Sequence, residues 1–173
     1  MRVFDTELHG VKRIEPELFT DHRGSYVELF DSEHYREVCA GIEFVQDDIS
    51  VSHERVLRGL HGDFATWKLV SVLAGRGYAL IADNRPESPT FHRWQAFLLN
   101  GDTRHQLLLP PGLGNSICVL QGPLVYWYKQ STHFAAGRQF TLRWNDPAWA
   151  FTWPIDDPIL SVRDREGAYA AST

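Results

Sequence analysis

Glycine- and proline-bearing turns cut the chain into short β-patterned runs, and this spacing constrains the fold more than any other feature. AGRG (74–77) separates KLVSVL (68–73) from YALIAD (78–83). NGD (100–102) separates RWQAFLL (93–99) from RHQLLLP (104–110), and QGP (121–123) separates SICVL (116–120) from LVYWYK (124–129). Each pair predicts a hairpin, because glycine supplies the positive φ that tight strand connections need. YVELF (26–30), FVQDDISVS (44–52) and RQFTLRW (138–144) add further alternating segments. A short helix is expected over 32–41, where SEHYREVCAG offers a serine N-cap and a closing glycine. The Pro- and Trp-rich stretch WNDPAWAFTWPIDDPIL (144–160) suits a loop that wraps a core. Closely spaced short strands with one or two short helices predict an all-β fold, with a jelly-roll barrel as the leading choice. The 173 residues suit one domain, and no repeat or linker divides them.

Composition narrows the partners. A formal net charge of −5 argues against a nucleic acid polymer, whose binding needs Lys and Arg set against phosphates. A small anionic ligand needs only a few local cations and stays open. Aromatics make up 13% of the chain, which favours strands or an aromatic-lined site over a helical bundle. Cys39 and Cys118 lie in apolar runs and read as buried thiols rather than a disulfide or zinc framework. MRVFDTELHG lacks the apolar core of a secretory signal, and no apolar run approaches the roughly 20 residues of a membrane span. The expectation is a cytoplasmic protein with no membrane partner.

The stretch VLRGLHGD (56–63) carries the chemistry. Arg58 and His61 have opposite parity on an ideal strand, so a bulge or a strand end is needed to aim both inward, and Gly59 and Gly62 offer the freedom. Jelly rolls of the cupin type often hold a metal on inward His and Glu. Here the first such place has His61 alone, and PPGLGNS (110–116) puts Asn115 where a second imidazole would stand. Those side chains, even with Asp63, are too few for a tight divalent site, so no metal is expected.

Nine blocks in order, PELFTDHRGSYVELF (16–30), FVQDDISVS (44–52), VLRGLHGD (56–63), WKLV (67–70), DNRPESPTFHRW (83–94), LLPPGLGNS (108–116), WYKQST (127–132), RWNDPAWAFTWP (143–154) and ILSVRD (159–164), resemble the dTDP-4-dehydrorhamnose 3,5-epimerase family of cupins. The resemblance runs from about residue 10 to 166. It implies epimerisation of a nucleotide-linked 4-keto sugar at carbons α to the ketone, without a cofactor. It assigns His61 as base, Asp164 as the carboxylate behind it, Lys68 beside the developing enolate and Tyr128 as the opposing acid. It also implies that Arg23 and Arg58 clamp the diphosphate, with Phe19, Glu28, Gln46 and Asp48 framing the nucleotide. A homodimer follows from the same resemblance, with an N-terminal arm (about 1–15) in the subunit contact.

The departures from the pattern cluster around the sugar. Gly62 and Asp63 replace an aromatic and a glutamine, the loop before Lys68 is about three residues shorter, Asn115 replaces a histidine, and Phe134 replaces a tyrosine. Asn115 donates a hydrogen bond but takes no proton, which suits orienting a sugar hydroxyl or the ketone. HGD with PPGLGNS is similar to a branch of the family acting on GDP-linked 4-keto-heptoses, where Gly62 and Asn115 would give room to a longer sugar. The expected activity is inversion at C3, C5 or both, on a GDP-4-keto-heptose or dTDP-4-keto-6-deoxyglucose, in surface-polysaccharide sugar biosynthesis. The alternatives are a 3,4-ketoisomerase, a non-catalytic sugar-nucleotide-binding cupin and, least favoured, a metal-dependent oxygenase.

Overall fold

The computed structural model describes residues 1–167, so residues 168–173, the end of the expected 1–173 domain, lie outside the described residues. The chain forms β1 (Arg2–Asp5), β2 (Lys12–Glu15), β3 (Leu18–Asp21), β4 (Gly24–Val27), β5 (Gln46–Ser52) and β6 (Leu57–Gly62). It continues with β7 (Lys68–Asp83), β8 (Trp94–Asn100), β9 (Gln106–Leu109), β10 (Leu113–Gln130), β11 (Phe140–Thr141) and a single-turn helix α1 (Val162–Arg165). The fold is all-β, as the spacing of its strands predicts.

Two long strands, β7 and β10, pair antiparallel along their whole length and form the spine. The first half of β7 pairs with β9 and the second half with β8, while β10 pairs first with β6 and then with β5. Each long strand therefore belongs to two sheet halves and turns a corner between them. At the corner the β7–β10 register shifts near Val119, Gln121 and Val125.

This arrangement corrects the three expected hairpins. AGRG and QGP lie inside continuous strands, and NGD joins β8 to β9, which pair with opposite halves of β7 rather than with each other. The physical reason is the choice of partners: each half of β7 and β10 pairs with a different strand, and a change of side-chain parity keeps one face inward across the corner. Val70 and Val72 belong to the interior cluster, and beyond the corner so do Ala79 and Ile81. In β10 the interior set passes from Leu113, Ile117 and Val119 to Leu124 and Tyr126. An odd step must be absorbed at each corner, and a glycine-rich bulge absorbs it. At Gly75, with φ +80°, a Cβ would lie 2.6 Å from the Gln121 carbonyl oxygen, so the corner strands approach too closely for any side chain.

The interior cluster mixes residues of both halves, which therefore face one another and close around it. The outer faces are covered differently. Tyr35 and Cys39, from the segment expected to be a helix, pack with Ile14, Leu69 and Trp127 on one half. That segment is a run of turns rather than a regular helix, and Asp31 caps it in place of Ser32 by accepting from the backbone N–H groups of Glu33 and His34. Trp149, Phe151 and Trp153 from the Pro-rich stretch cover Leu60, Leu80 and Ala82 on the other half, wrapping as expected. Cys39 and Cys118 are both buried free thiols. Among the described residues no helix is long and apolar enough to cross a membrane.

Candidate active site

A cavity of about 370 Å³ opens at the mouth of the barrel, a size within the range of small-molecule sites. Strand β5 supplies one wall. Its even-numbered residues Gln46, Asp48 and Ser50 line the cavity, while Ile49 and Val51 point out and stay 59% and 61% exposed. A strand with polar residues inward is expected where the inside is a binding cavity rather than a core.

The opposite wall comes from β6. Asn115 of β10 faces His61 and Ile117 faces Arg58, so three steps on β6 oppose two on β10. Of the two devices parity allows, a bulge or a strand end, this is the bulge, and it brings Arg58 and His61 to one cavity. Gly59 makes it possible at φ +122°, where an added Cβ would stand 2.5 Å from Ser116 Cβ. Gly62 plays a different part: a Cβ there would meet the Leu113 carbonyl at 2.2 Å and the Phe140 ring at 2.4 Å. Its missing side chain is filled by neighbours and gives no extra room to a sugar, which corrects that expectation. Gly59→Ala is expected to cost about 1–3 kcal/mol of stability from backbone strain alone and to misplace His61. Thermal unfolding together with turnover checks both effects.

His61 Nε2 lies 2.6 Å from Asp164 Oδ1. The other ring nitrogen has no partner among the described residues and is the one available to a substrate. Asp164 is 2% exposed. Burial alone would raise its carboxyl, but the hydrogen bonds from His61 and Ser161, the charge of His61 and the Gly59 N–H outweigh it and hold the group below the usual carboxylate range. The segment carrying Asp164 is docked by Leu57 N–H donating to the Ile159 carbonyl at 3.0 Å. Ser161 caps α1, accepting from the Asp164 N–H and donating its hydroxyl to Asp164 Oδ2 at 2.7 Å. The carboxylate is thus fixed at both oxygens before it meets the imidazole.

Lys68, the first residue of β7, lines the same cavity, and its ammonium makes no hydrogen bond or ion pair among the described residues. Burial lowers its ammonium from the ordinary value, Asp63 opposes this, and the charge of Arg163 adds to it. Tyr128, from β10, also lines the cavity; burial and the charge of Asp48 raise its phenol, against Arg58. Arg58 spends one N–H on Ser52 Oγ at 2.9 Å, and the rest of its fork has no partner among the described residues. Lys68, Arg58 and Arg163 thus face a cavity whose two carboxylates, Asp48 and Asp164, already hold hydrogen-bond donors. That balance suits an anionic ligand.

The family model for dTDP-4-dehydrorhamnose 3,5-epimerase matches residues 5–171. The chain belongs to the dTDP-4-dehydrorhamnose 3,5-epimerase family. A member from Neisseria gonorrhoeae is 37% identical over 170 residues, covering 96% of this chain, which spans only 52% of that protein's length. A member from Shigella flexneri is 34% identical over 171 residues, covering 96% of this chain and 94% of the relative. The crystal structure of the Bacillus anthracis enzyme with TDP and PPi bound superimposes with a TM-score of 0.93 at 35% identity, over 98% of this chain and 99% of that one. The chain is accordingly an isomerase of the epimerase type on a cupin barrel.

Of the site residues expected from the sequence, His61, Asp164, Lys68, Tyr128, Arg58, Gln46, Asp48 and Asn115 all line the cavity. Four do not. Phe19 and Arg23 belong to the exposed β3–β4 hairpin, where Arg23 pairs with Asp21 at 2.6 Å. Glu28 bonds His34 Nδ1 at 2.8 Å on the surface. Asp63 is 3% exposed and accepts from the N–H groups of Ala65 and Thr66 and from Gln139 Nε2, so it shapes the loop before Lys68. The lining residues missed by sequence reasoning include Ser50, Tyr126, Gln130, Ser161 and Arg163. Even-numbered alternation with Gln46 and Asp48 could have found Ser50, and with Tyr128 the pair Tyr126 and Gln130.

Proposed function

We propose that this chain epimerises a nucleoside-diphosphate-linked 4-keto sugar at C3, C5 or both, with His61 as base and no cofactor. The observation that carries this reading is the His61–Asp164 pair at 2.6 Å in a cavity shared with Lys68 and Tyr128. The free imidazole nitrogen takes the proton α to the ketone, and the C–H electrons become the C=C bond of an enolate whose oxygen carries the negative charge. Asp164 holds the ring tautomer and stabilises the imidazolium. Lys68 supplies a desolvated positive charge to the enolate oxygen. The Tyr128 phenol gives its proton to the carbon from the opposite face; exchange with solvent then returns a proton to Tyr128 and removes one from His61. Arg58 and Arg163 suit the diphosphate, whose oxygens match guanidinium forks.

The nucleotide and sugar are separated by offering dTDP-4-keto-6-deoxyglucose and a GDP-4-keto-heptose in parallel and identifying products by NMR. Inverted 4-keto products from either one are the expected result and name the substrate. A migrated carbonyl would mean a 3,4-ketoisomerase, and unchanged sugars from both would overturn the reading.

A homodimer belongs to the same reading. The β3–β4 hairpin carries exposed Leu18, Phe19 and Tyr26, and β1 at the edge of the sheet carries exposed Val3 and Phe4. A second copy would cover these apolar residues and is the natural destination of Phe19 and Arg23, which the chain's own cavity does not use. The expected solution mass, by light scattering, is twice that of one chain; a monomer at micromolar concentration would contradict the dimer.

A further inference from the structure

Asn115 and Tyr126 lie on β10 on either side of its corner, and both side chains reach the cavity. The Tyr126 hydroxyl donates to Asn115 Oδ1 at 3.1 Å, and Tyr126 is 4% exposed. Burial raises this phenol well above its ordinary range, against the Asn115 bond and with a contribution from Tyr128, so it remains a neutral donor. With its oxygen engaged, the Asn115 carboxamide turns its nitrogen the other way. That nitrogen has no partner among the described residues. Asn115 is in direct register with His61, and side chains so paired stand about 5 Å apart on one face. On the neighbouring strand Ser50 is in register with Tyr126, and its buried hydroxyl also lacks a partner. Two unpaired polar groups thus border the cavity, and one of them, the Asn115 amide, stands beside the base.

We infer that Tyr126 is a positioning residue: its phenol pins the Asn115 carboxamide so that the amide N–H is presented, beside His61, to the ketone oxygen of the bound sugar. The inference rests on the epimerase reading. Without the phenol the amide is free to rotate, and its carbonyl would then face the substrate oxygen and repel it. The Tyr126 hydroxyl, the group removed in Tyr126→Phe, therefore acts through Asn115.

The test is a double-mutant cycle in a His61→Asn background, so that a 4-keto sugar nucleotide binds without turning over. Its affinity and that of the matching nucleoside diphosphate are measured by calorimetry for Tyr126→Phe, Asn115→Ala and the pair. Each single change is expected to weaken the keto-sugar nucleotide about tenfold, the size of one good hydrogen bond, and the pair no further, with the diphosphate unaffected. Asn115→Asp, which accepts from Tyr126 but donates nothing, should bind the keto-sugar at least as poorly as Asn115→Ala. Additive losses, an unchanged affinity after Tyr126→Phe, or retained affinity in Asn115→Asp would overturn the inference. If the His61→Asn parent binds the keto-sugar no better than the diphosphate, the epimerase reading fails and this inference with it.

Discussion

Replacing His61 by Asn is expected to lower turnover by about 10²–10⁴, the usual worth of a positioned general base, while nucleotide affinity stays within about twofold. Asparagine keeps a short polar side chain opposite Asp164 but has no lone pair of comparable basicity. The split between turnover and binding follows from the geometry. Arg58 is bonded to Ser52 rather than to His61, and Arg163 is bonded to Thr141, so neither depends on the imidazole for its place. The measurement is kcat together with calorimetric affinity for the nucleoside diphosphate. Turnover within tenfold of the natural chain would mean that another group removes the proton. Loss of both would mean that His61 is needed to build the cavity.

Tyr128→Phe is the second large effect, and it should divide the reaction. Removing the hydroxyl is expected to slow inversion by about 10² or more, as for loss of a general acid, while loss of the substrate's α-proton persists within about tenfold. The phenylalanine ring can keep the place of the phenol, whose ring lies 6.0 Å from that of Tyr126. Without an acid on the far face, the enolate is reprotonated by the imidazolium on the face it came from. Deuterium then enters without inversion. Time courses of deuterium uptake and product formation, followed by NMR in D₂O, separate the two events. Equal loss of both would remove Tyr128 from the role of acid.

The strands were legible because alternation and glycine punctuation are local properties of the chain. What they join was not. AGRG and QGP serve a hairpin or a sheet corner equally well, since both need glycine at strained or crowded backbone positions. An even-length hairpin loop switches side-chain parity just as a corner does, so the pattern of KLVSV and YALIA does not separate them; the partners do, since β7 pairs with β9 along its first half and β8 along its second. The single-turn helix α1 depends on Ser161 bonding Asp164 and on Ile159 docking beside β6, contacts that no local pattern announces.

Spacing alone asked for a bulge or a strand end between Arg58 and His61, and the register of β6 with β10 contains a bulge. Partners such as Asp164, more than a hundred residues from His61, came only from the ordered likeness to the epimerase blocks. Arg163 was passed over because a charged run near the end of a chain looks like solvated surface. Phe19, Arg23 and Glu28 stand away from the cavity in the single chain.

The most direct test of the central claim is incubation of the protein in D₂O with each 4-keto sugar nucleotide, with and without a chelator, followed by NMR and mass spectrometry. The account predicts deuterium at C3, C5 or both of one substrate, at a rate unaffected by the chelator and reduced by orders of magnitude in His61→Asn. Uptake that persists in His61→Asn, or that the chelator abolishes, would contradict it.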